Sequence, residues 1–260
     1  MINANSNEKL MIANNQLESC QPIDLKIIME EDETPFRSYL DNKASFFLLK
    51  RVSDIIFSIA VIILLLSWLI PLMAIVIKLD SRGPVFFIQR RVGRGLKSFR
   101  CLKFRTMVLN FDADKCSASN NDMRVTSIGK FFRKTSLDEL PQFINVLLGD
   151  MSIVGPRPHM FADCKRFSEQ IPNYKIRHVV RPGISGLAQV KGFRGPAEDT
   201  HNIVSRFYYD AVYIQNLSFR MDIKIVSKTV WQVFSLIFFN RFLGANKLKS
   251  PEAHSPKIAA

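Results

Sequence analysis

The stretch from Ile55 to Ile77 leaves this chain the fewest options. It is 23 residues long and carries no charge. As one helix it would be about 35 Å long, enough to cross a hydrocarbon core of about 30 Å. A core helix this apolar all round would need a larger protein around it. Lys50, Arg51 and Asp54 precede it, and Lys78, Asp80 and Arg82 follow. Ser67, Trp68 and Pro71 interrupt its middle, and a proline there kinks a helix. Both flanks are basic. A helix that bends inside the membrane keeps both at the cytoplasmic surface, whereas a straight span sends Lys50 and Arg51 to the far side, against the positive-inside tendency. More basic residues follow the segment than precede it, so the C-terminal part is expected to be cytoplasmic in either topology.

The remaining chain suits one domain with extensions. We divide it into an N-terminal tail (1–45), a membrane helix (46–82), a catalytic domain (83–240) and a C-terminal tail (241–260). The first tail carries the acidic run Glu30-Glu31-Asp32-Glu33, has no secretory signature and reads as disordered. The formal charge of +13 calls for an anionic partner: nucleic acid, lipid head groups or a phosphorylated substrate. Cys20, Cys101, Cys116 and Cys164 show neither paired nor metal-ligand spacing, which argues against a disulfide framework and a zinc site.

Pro84 to Met107 predicts a β-hairpin. Val85 to Ile88 is β-prone, Val92-Gly93-Arg94-Gly95 is the turn, and Phe99 to Phe104 returns. Some of its basic residues (Arg90, Arg91, Arg94, Lys97, Arg100, Lys103, Arg105) are expected to meet lipid head groups. Lys103 and Arg105 alternate with Phe104, which puts both on one face, taken as the substrate side. Ser127 to Lys134 predicts a short helix packing through Ile128, Phe131 and Phe132. Met151 to Pro158 reads as a strand and a rigid turn, with Arg157 fixed between two prolines. Phe161 to Val180 is helical, broken at Pro172, and Arg181 to Val190 is a loop leading into a strand. Helices return from Ser205. The run Phe219 to Phe239 fits a helix at the membrane interface, with Trp231 and several Phe at its boundary.

Chemistry concentrates at Thr135-Ser136-Leu137-Asp138-Glu139-Leu140-Pro141-Gln142. Ser136 and Glu139 have capping-box spacing. Leu140, Phe143, Ile144, Leu147 and Leu148 give a helical period, and Gly149 is a natural stop. We place the helix start near Asp138, because Pro141 then falls where its missing N–H costs nothing. Either start sets both carboxylates at the positive helix end. Aspartate and glutamate open many helices. Here, however, Arg133 and Lys134 precede them, and Gly155-Pro156-Arg157-Pro158-His159 follows. An anionic nucleophile among cations suits phosphoryl chemistry. Attack on a pyrophosphate requires a divalent metal and cations on the phosphoryl oxygens. One carboxylate would attack while the other holds the metal, with Arg133, Lys103, Arg105 and Arg157 as the clamp.

Several motifs together, from Lys50 to Ile214, resemble a known family. They are Lys50-Arg51 with Asp54, Lys103-Phe104-Arg105-Thr106-Met107, Ser136 to Gln142, Gly149-Asp150-Met151-Ser152, Val154 to Pro158, and Arg181-Pro182-Gly183 with Gly186-Leu187-Ala188-Gln189-Val190. The chain is similar to the bacterial sugar transferases, monotopic polyprenyl-phosphate hexose-1-phosphate transferases. Gly192-Phe193-Arg194-Gly195 and the segment to Tyr213-Ile214 look most like the short exopolysaccharide-initiating members, without the multi-span N-terminal region of long ones.

The resemblance implies an α+β fold: a membrane-embedded, re-entrant N-terminal helix, a small β-hairpin and a cytoplasmic helical catalytic domain with interfacial helices. It implies transfer of galactose- or glucose-1-phosphate from a UDP-sugar to undecaprenyl phosphate, through a phosphosugar on Asp138, with UMP released. It further implies Glu139 as a Mg²⁺ ligand, Lys103, Arg133 and Arg157 as phosphate or nucleotide contacts, and Arg181 as a substrate contact. The setting would be the cytoplasmic face of a bacterial inner membrane, in contact with membrane lipid and other polysaccharide assembly proteins. The family's membrane helix kinks at a Ser-Pro pair. Here Ser67-Trp68 stands there and Pro71 follows later. A basic membrane-anchored adaptor for acidic lipid or nucleic acid fits the same composition but needs neither carboxylate. Nucleic acid is disfavoured, since no recognition motif and no regular aromatic interleaving is present. An aspartyl-phosphate phosphatase would share the nucleophile but release free product.

Overall fold

A computed structural model of the chain describes residues 42–109, 122–194 and 200–242. The N-terminal tail up to residue 41, with its acidic run, and the C-terminal tail from residue 243 lie outside this set. The uncharged stretch belongs to a longer helix, α1, Ala44–Asp80. Of the described helices it is the one long and apolar enough to cross a membrane.

Helix α1 changes its winding before Pro71. Ile62–Leu66 is π-helical, with the Ser67 N–H donating to the Ile62 carbonyl. Such a bulge frees carbonyl oxygens, which in an apolar medium need other donors. Ser67 Oγ donates to the Ile63 carbonyl at 2.6 Å and Trp68 Nε1 to that of Leu64 at 2.9 Å. The irregularity expected at Ser67–Pro71 therefore begins one turn earlier, and two side chains of that segment satisfy it.

One face of α1 meets the domain near its two ends, through Lys50 and Asp54 and through Ile77, while less than a fifth of its apolar segment is buried. Lys50, Asp54, Ser58, Leu66, Leu69 and Ile77 are buried on it. Ile56, Ile63, Leu64, Trp68, Ile75 and Leu79 are exposed on the others, Leu64 by 75%. The charges that precede the uncharged stretch hold the domain. Lys50 Nζ meets Asp222 at 2.6 Å, Arg51 donates to the Val146 and Leu147 carbonyls, and Asp54 accepts from the Ile153 N–H.

Strands β1 (Phe86–Val92) and β2 (Ser98–Phe104) form the expected antiparallel hairpin, with Phe87 opposite Lys103. Helix α2 is Ser127–Thr135. Thr126 caps it by accepting from the Gly129 N–H. Phe132 is buried with Phe104 and Ile77, but Phe131 is exposed, 54%, so only part of the anticipated packing face forms.

Helix α3 is Gln142–Leu148, closed by Gly149 at φ 95°. Its apolar stripe does not face the domain interior. Leu147 and Leu148 are exposed and the Phe143 ring meets Phe57 of α1, while Gln142 and Asn145 are buried. Asn145 bridges α3 to β2, donating to the Arg100 carbonyl and accepting from the Leu102 N–H.

Strand β3 (Ser152–Val154) pairs in parallel with β4 (Gly183–Ser185). Here the backbones come too close for a side chain: a Cβ on Gly155 would stand 2.4 Å from the Arg181 carbonyl oxygen, and one on Gly183 2.1 Å from the Gly155 nitrogen. Between them lie helix α4 (Phe161–Ser168) and the 3₁₀ turn Tyr174–His178. The strand expected to end at Val190 forms earlier, and Leu187–Val190 is a one-turn helix, α5. Helices α6 (Thr200–Gln215) and α7 (Phe219–Phe242) complete the described chain. Val154, Val180, Val190, Tyr213, Ile214, Leu217 and Ile225 form one core where β3, β4, α5, α6 and α7 meet.

Candidate active site

The two carboxylates occupy a 3₁₀ turn, Leu137–Glu139, between α2 and α3. The capping box expected here is not made. Ser136 takes the left-handed conformation, φ 60°, closes α2 and gives no side-chain cap. Its carbonyl accepts from the Glu139 N–H, and the turn runs through Pro141 into α3. Pro141 sits at the cap of α3, where a missing N–H leaves no helical bond unmade. The carboxylates thus stand in a reversal between two helices rather than on a helix's first turn.

The neighbours are unequal. Glu139 is gripped on both oxygens: Lys103 Nζ donates to Oε1 at 2.6 Å, and Arg157 donates through Nη2 to Oε1 at 2.5 Å and through Nη1 to Oε2 at 3.0 Å. Among the described residues no side chain donates to Asp138, although it is equally buried. Burial, reinforced by the Glu139 charge, raises the Asp138 carboxyl to about 6 against the pull of Lys103 and Arg157. Burial would raise Glu139 too, but the charges and hydrogen bonds of Arg157 and Lys103 override it and hold Glu139 well below the usual range. The pair is one carboxylate locked ionised and one poised near neutrality.

The elements that bring these groups together are separate. Lys103 comes from β2. Arg157 follows β3, and its carbonyl accepts from Arg177 Nη2 at 2.8 Å. Arg177 is itself paired with Asp210 at 2.7 Å, both fully enclosed. Arg91 ties the hairpin to the same segment by donating to the Pro158 carbonyl. Arg133 lies at the rim, its Nε on Thr106 Oγ1 at 2.8 Å, and its charge helps hold the Asp138 pKa down.

Lys103, Arg133 and Arg157 therefore gather around Asp138 and Glu139. Arg105 and Arg181 are placed elsewhere. The strand ends at Phe104, so alternation no longer sets the direction of Arg105. Its guanidinium donates to the Ser81 and Arg82 carbonyls where α1 ends. Arg181 donates to the Gly149 carbonyl at the other end of the molecule's contact with α1, near Arg51 and Arg94. Thr106, Arg177 and Asp210 were missed as supports. Arg177 and Asp210 are 33 residues apart and share no motif spacing, so nothing in the sequence pairs them.

For a divalent ion the fit rests on these two side chains. Among the described residues no group of three or more His, Cys, Asp or Glu forms a preformed cage. Magnesium characteristically takes one or two protein carboxylates and completes its shell with substrate phosphate and water. Glu139 accepts three hydrogen bonds out of about four lone-pair directions. Asp138 keeps its oxygens open. The donor set fits such an ion.

Residues 45–236 match the family model described as bacterial sugar transferase. The chain belongs to the bacterial sugar transferase family. This sugar transferase is 45% identical to the UDP-glucose:undecaprenyl-phosphate glucose-1-phosphate transferase of Klebsiella pneumoniae, over 71% of this chain and 40% of that protein. It is 47% identical to the UDP-N-acetylgalactosamine-undecaprenyl-phosphate N-acetylgalactosaminephosphotransferase of Aeromonas hydrophila, over 70% of this chain and 43% of that protein. It is 43% identical to the exopolysaccharide production protein PSS of Rhizobium leguminosarum bv. phaseoli, over 70% of this chain and 93% of that protein. The sugar transferase thus spans about two fifths of the first two relatives and nearly all of the third, a protein of the short exopolysaccharide type.

Proposed function

We propose that this chain is a membrane phosphoglycosyl transferase that moves a hexose-1-phosphate from a UDP-sugar to undecaprenyl phosphate and so begins an exopolysaccharide or O-antigen repeat. The observation that carries this reading is the inequality of the two carboxylates, an open Asp138 beside a Glu139 that holds Lys103 and Arg157 in place. In the first step an Asp138 oxygen attacks the phosphorus bearing the sugar. The bond from that phosphorus to the UMP oxygen breaks, and UMP leaves. In the second, a phosphate oxygen of undecaprenyl phosphate attacks the same phosphorus, and the Asp138 carboxylate is released. Lys103 and Arg157, with Arg133 at the rim, neutralise the phosphoryl oxygens during both displacements. Mg²⁺ held by Glu139 would withdraw further charge from those oxygens. The Klebsiella relative's name puts glucose ahead of galactose as the sugar.

The reading includes a topology. Helix α1 enters and leaves the bilayer on one face, with the catalytic domain on the cytoplasmic side of a bacterial inner membrane. Its support is that Lys50 and Asp54 near one end, and Ile77 with the Ser81–Arg82 carbonyls at the other, hold the same domain. A straight span would carry these ends to opposite surfaces, about 40 Å apart between residues 50 and 77.

The test is UMP release by the detergent-solubilised protein with Mg²⁺, undecaprenyl phosphate and UDP-glucose or UDP-galactose. We expect lipid-dependent UMP formation, reduced at least about a thousandfold by Asp138→Asn. A lipid-binding adaptor would release no UMP from either donor, and its lipid binding would be unchanged by the substitution. A phosphatase would release phosphate or sugar phosphate without a lipid product.

A further inference from the structure

A second cluster of cations lies away from the carboxylates. A cleft of about 570 Å³ opens between α5, α6, α7 and the residue before α1. Its walls carry Lys43, Lys191, Arg220, Lys224 and Lys228, its floor includes Leu217 and Ile225, and no lining residue is acidic. Arg220, Lys224 and Lys228 are spaced i, i+4, i+8, so they form one stripe along α7. All three are exposed, and none has a carboxylate within ion-pair distance among the described residues. Like charges at i, i+4 repel, and without a ligand the stripe works against the helix that bears it.

The surroundings say where the counter-charge comes from. Phe219, Ile223, Val230 and Phe234 form an exposed apolar stripe on the adjoining face of α7. Its first turn meets α1 through the Phe46–Phe219 ring contact at 5.1 Å, and Lys50–Asp222 joins the same turns. Leu48, Leu49 and Val52 in the same turns of α1 are also exposed. Cations bordering an apolar surface lie at head-group depth when that surface meets hydrocarbon.

We propose that this cleft binds the phosphate head group of an anionic phospholipid, with the acyl chains against the apolar stripe of α7. The site is separate from the transfer chemistry and does not rest on the reading of that chemistry. The lipid would brace α7 against the foot of α1.

The experiment uses the full chain in neutral detergent and reads retained lipid by native mass spectrometry, and the unfolding midpoint. Probes are phosphatidylglycerol, phosphatidylcholine, inorganic phosphate and UDP. Phosphatidylglycerol should be retained and should raise the midpoint, while phosphatidylcholine should do neither. The variant Arg220→Gln/Lys224→Gln/Lys228→Gln should weaken retention on the order of a hundredfold, about fivefold per cation. A control with the exposed Lys130 and Lys175 changed to Gln should retain it. Equal retention by the triple variant, or equal loss by the control, would overturn the site. Protection by inorganic phosphate or UDP that the triple variant loses would assign the cleft to a soluble phosphate and overturn the lipid. A triple variant that retains no lipid but unfolds at the wild-type midpoint without lipid excludes misfolding as the cause.

Discussion

Two groups of cations frame this molecule, and they do different things with the same chemistry. Lys103 and Arg157 close on a carboxylate at the candidate active site. Lys50, Arg51 and Arg181 close on Asp222 and on the carbonyls of Val146, Leu147 and Gly149 at the foot of α1. In the first group, the cations proposed to meet a phosphoryl group are held against Glu139. In the second, they are spent on joining a membrane helix to a domain. The number of positive charges does not distinguish them; the partner does. An ion pair beside an open carboxylate can be exchanged for substrate, whereas guanidinium bonds to the carbonyls at a helix's C-terminal end are structural.

The comparison can be broken most severely at Arg157. Arg157→Met should lower turnover by about a hundred- to a thousandfold, as loss of a charge-stabilising donor does. Steady-state UMP release checks this, with thermal unfolding to show that the fold survives. The foot should behave the other way. Lys50→Met removes the cation from Asp222 and leaves it the Tyr213 hydroxyl as donor, and should cost roughly 3–5 kcal/mol of stability, as breaking a buried pair does. Turnover per folded molecule should remain near wild type. Denaturant unfolding in micelles measures the first and active-site titration the second. A Lys50 variant with normal stability and no turnover would erase the distinction.

A finer measurement concerns pH. In the proposed mechanism single-turnover UMP release requires ionised Asp138, so its acid limb should fall near pH 6 rather than near 4. Lys103 opposes the rise, and Lys103→Met should move the limb upward by about one unit or more. The stability sign follows. A carboxyl raised above its unfolded value of 3.8 binds its proton more tightly in the native state, so its contribution is present at low pH and lost as pH climbs towards 6. Glu139, held low, contributes in the opposite sense, above its unfolded value of 4.5. Asp138→Asn should therefore gain stability over wild type as pH rises from 4 to 6, measured as the difference in unfolding midpoints.

The smallest contrast was also the hardest to read from sequence. Asp138, Glu139, Lys103, Arg133 and Arg157 lie in or beside local motifs, and the structure brings them together. The hairpin was legible because its β-prone runs flank a glycine-rich turn. The capping box was not, because Ser136 is needed to close α2 in a left-handed conformation and cannot also open the next helix. Arg105 was misread because strand alternation was carried one residue past the strand's end. The stripe Leu140 to Leu148 marked a helix correctly, but its exposed end faces outward with α1, and the buried face carries Gln142 and Asn145. Periodicity reports an apolar face and does not say whether protein or lipid covers it. Arg177–Asp210 and Lys50–Asp222 are closed by the whole fold, and no local pattern announces them.

Lys50 and Asp222 are separated by 172 residues. That separation is also an interval in time. At about 5–20 residues per second, the ribosome needs on the order of ten to thirty seconds between making one partner and the other. For most of that interval α1 is complete while Lys50 lacks Asp222, and for roughly the first half of it Arg51 lacks the carbonyls of α3. In the proposed topology the helix reaches the bilayer first, and the domain then closes around its foot. Insertion and folding are two stages of one assembly, and a delay in the second leaves an apolar helix with an unmatched charge at its base.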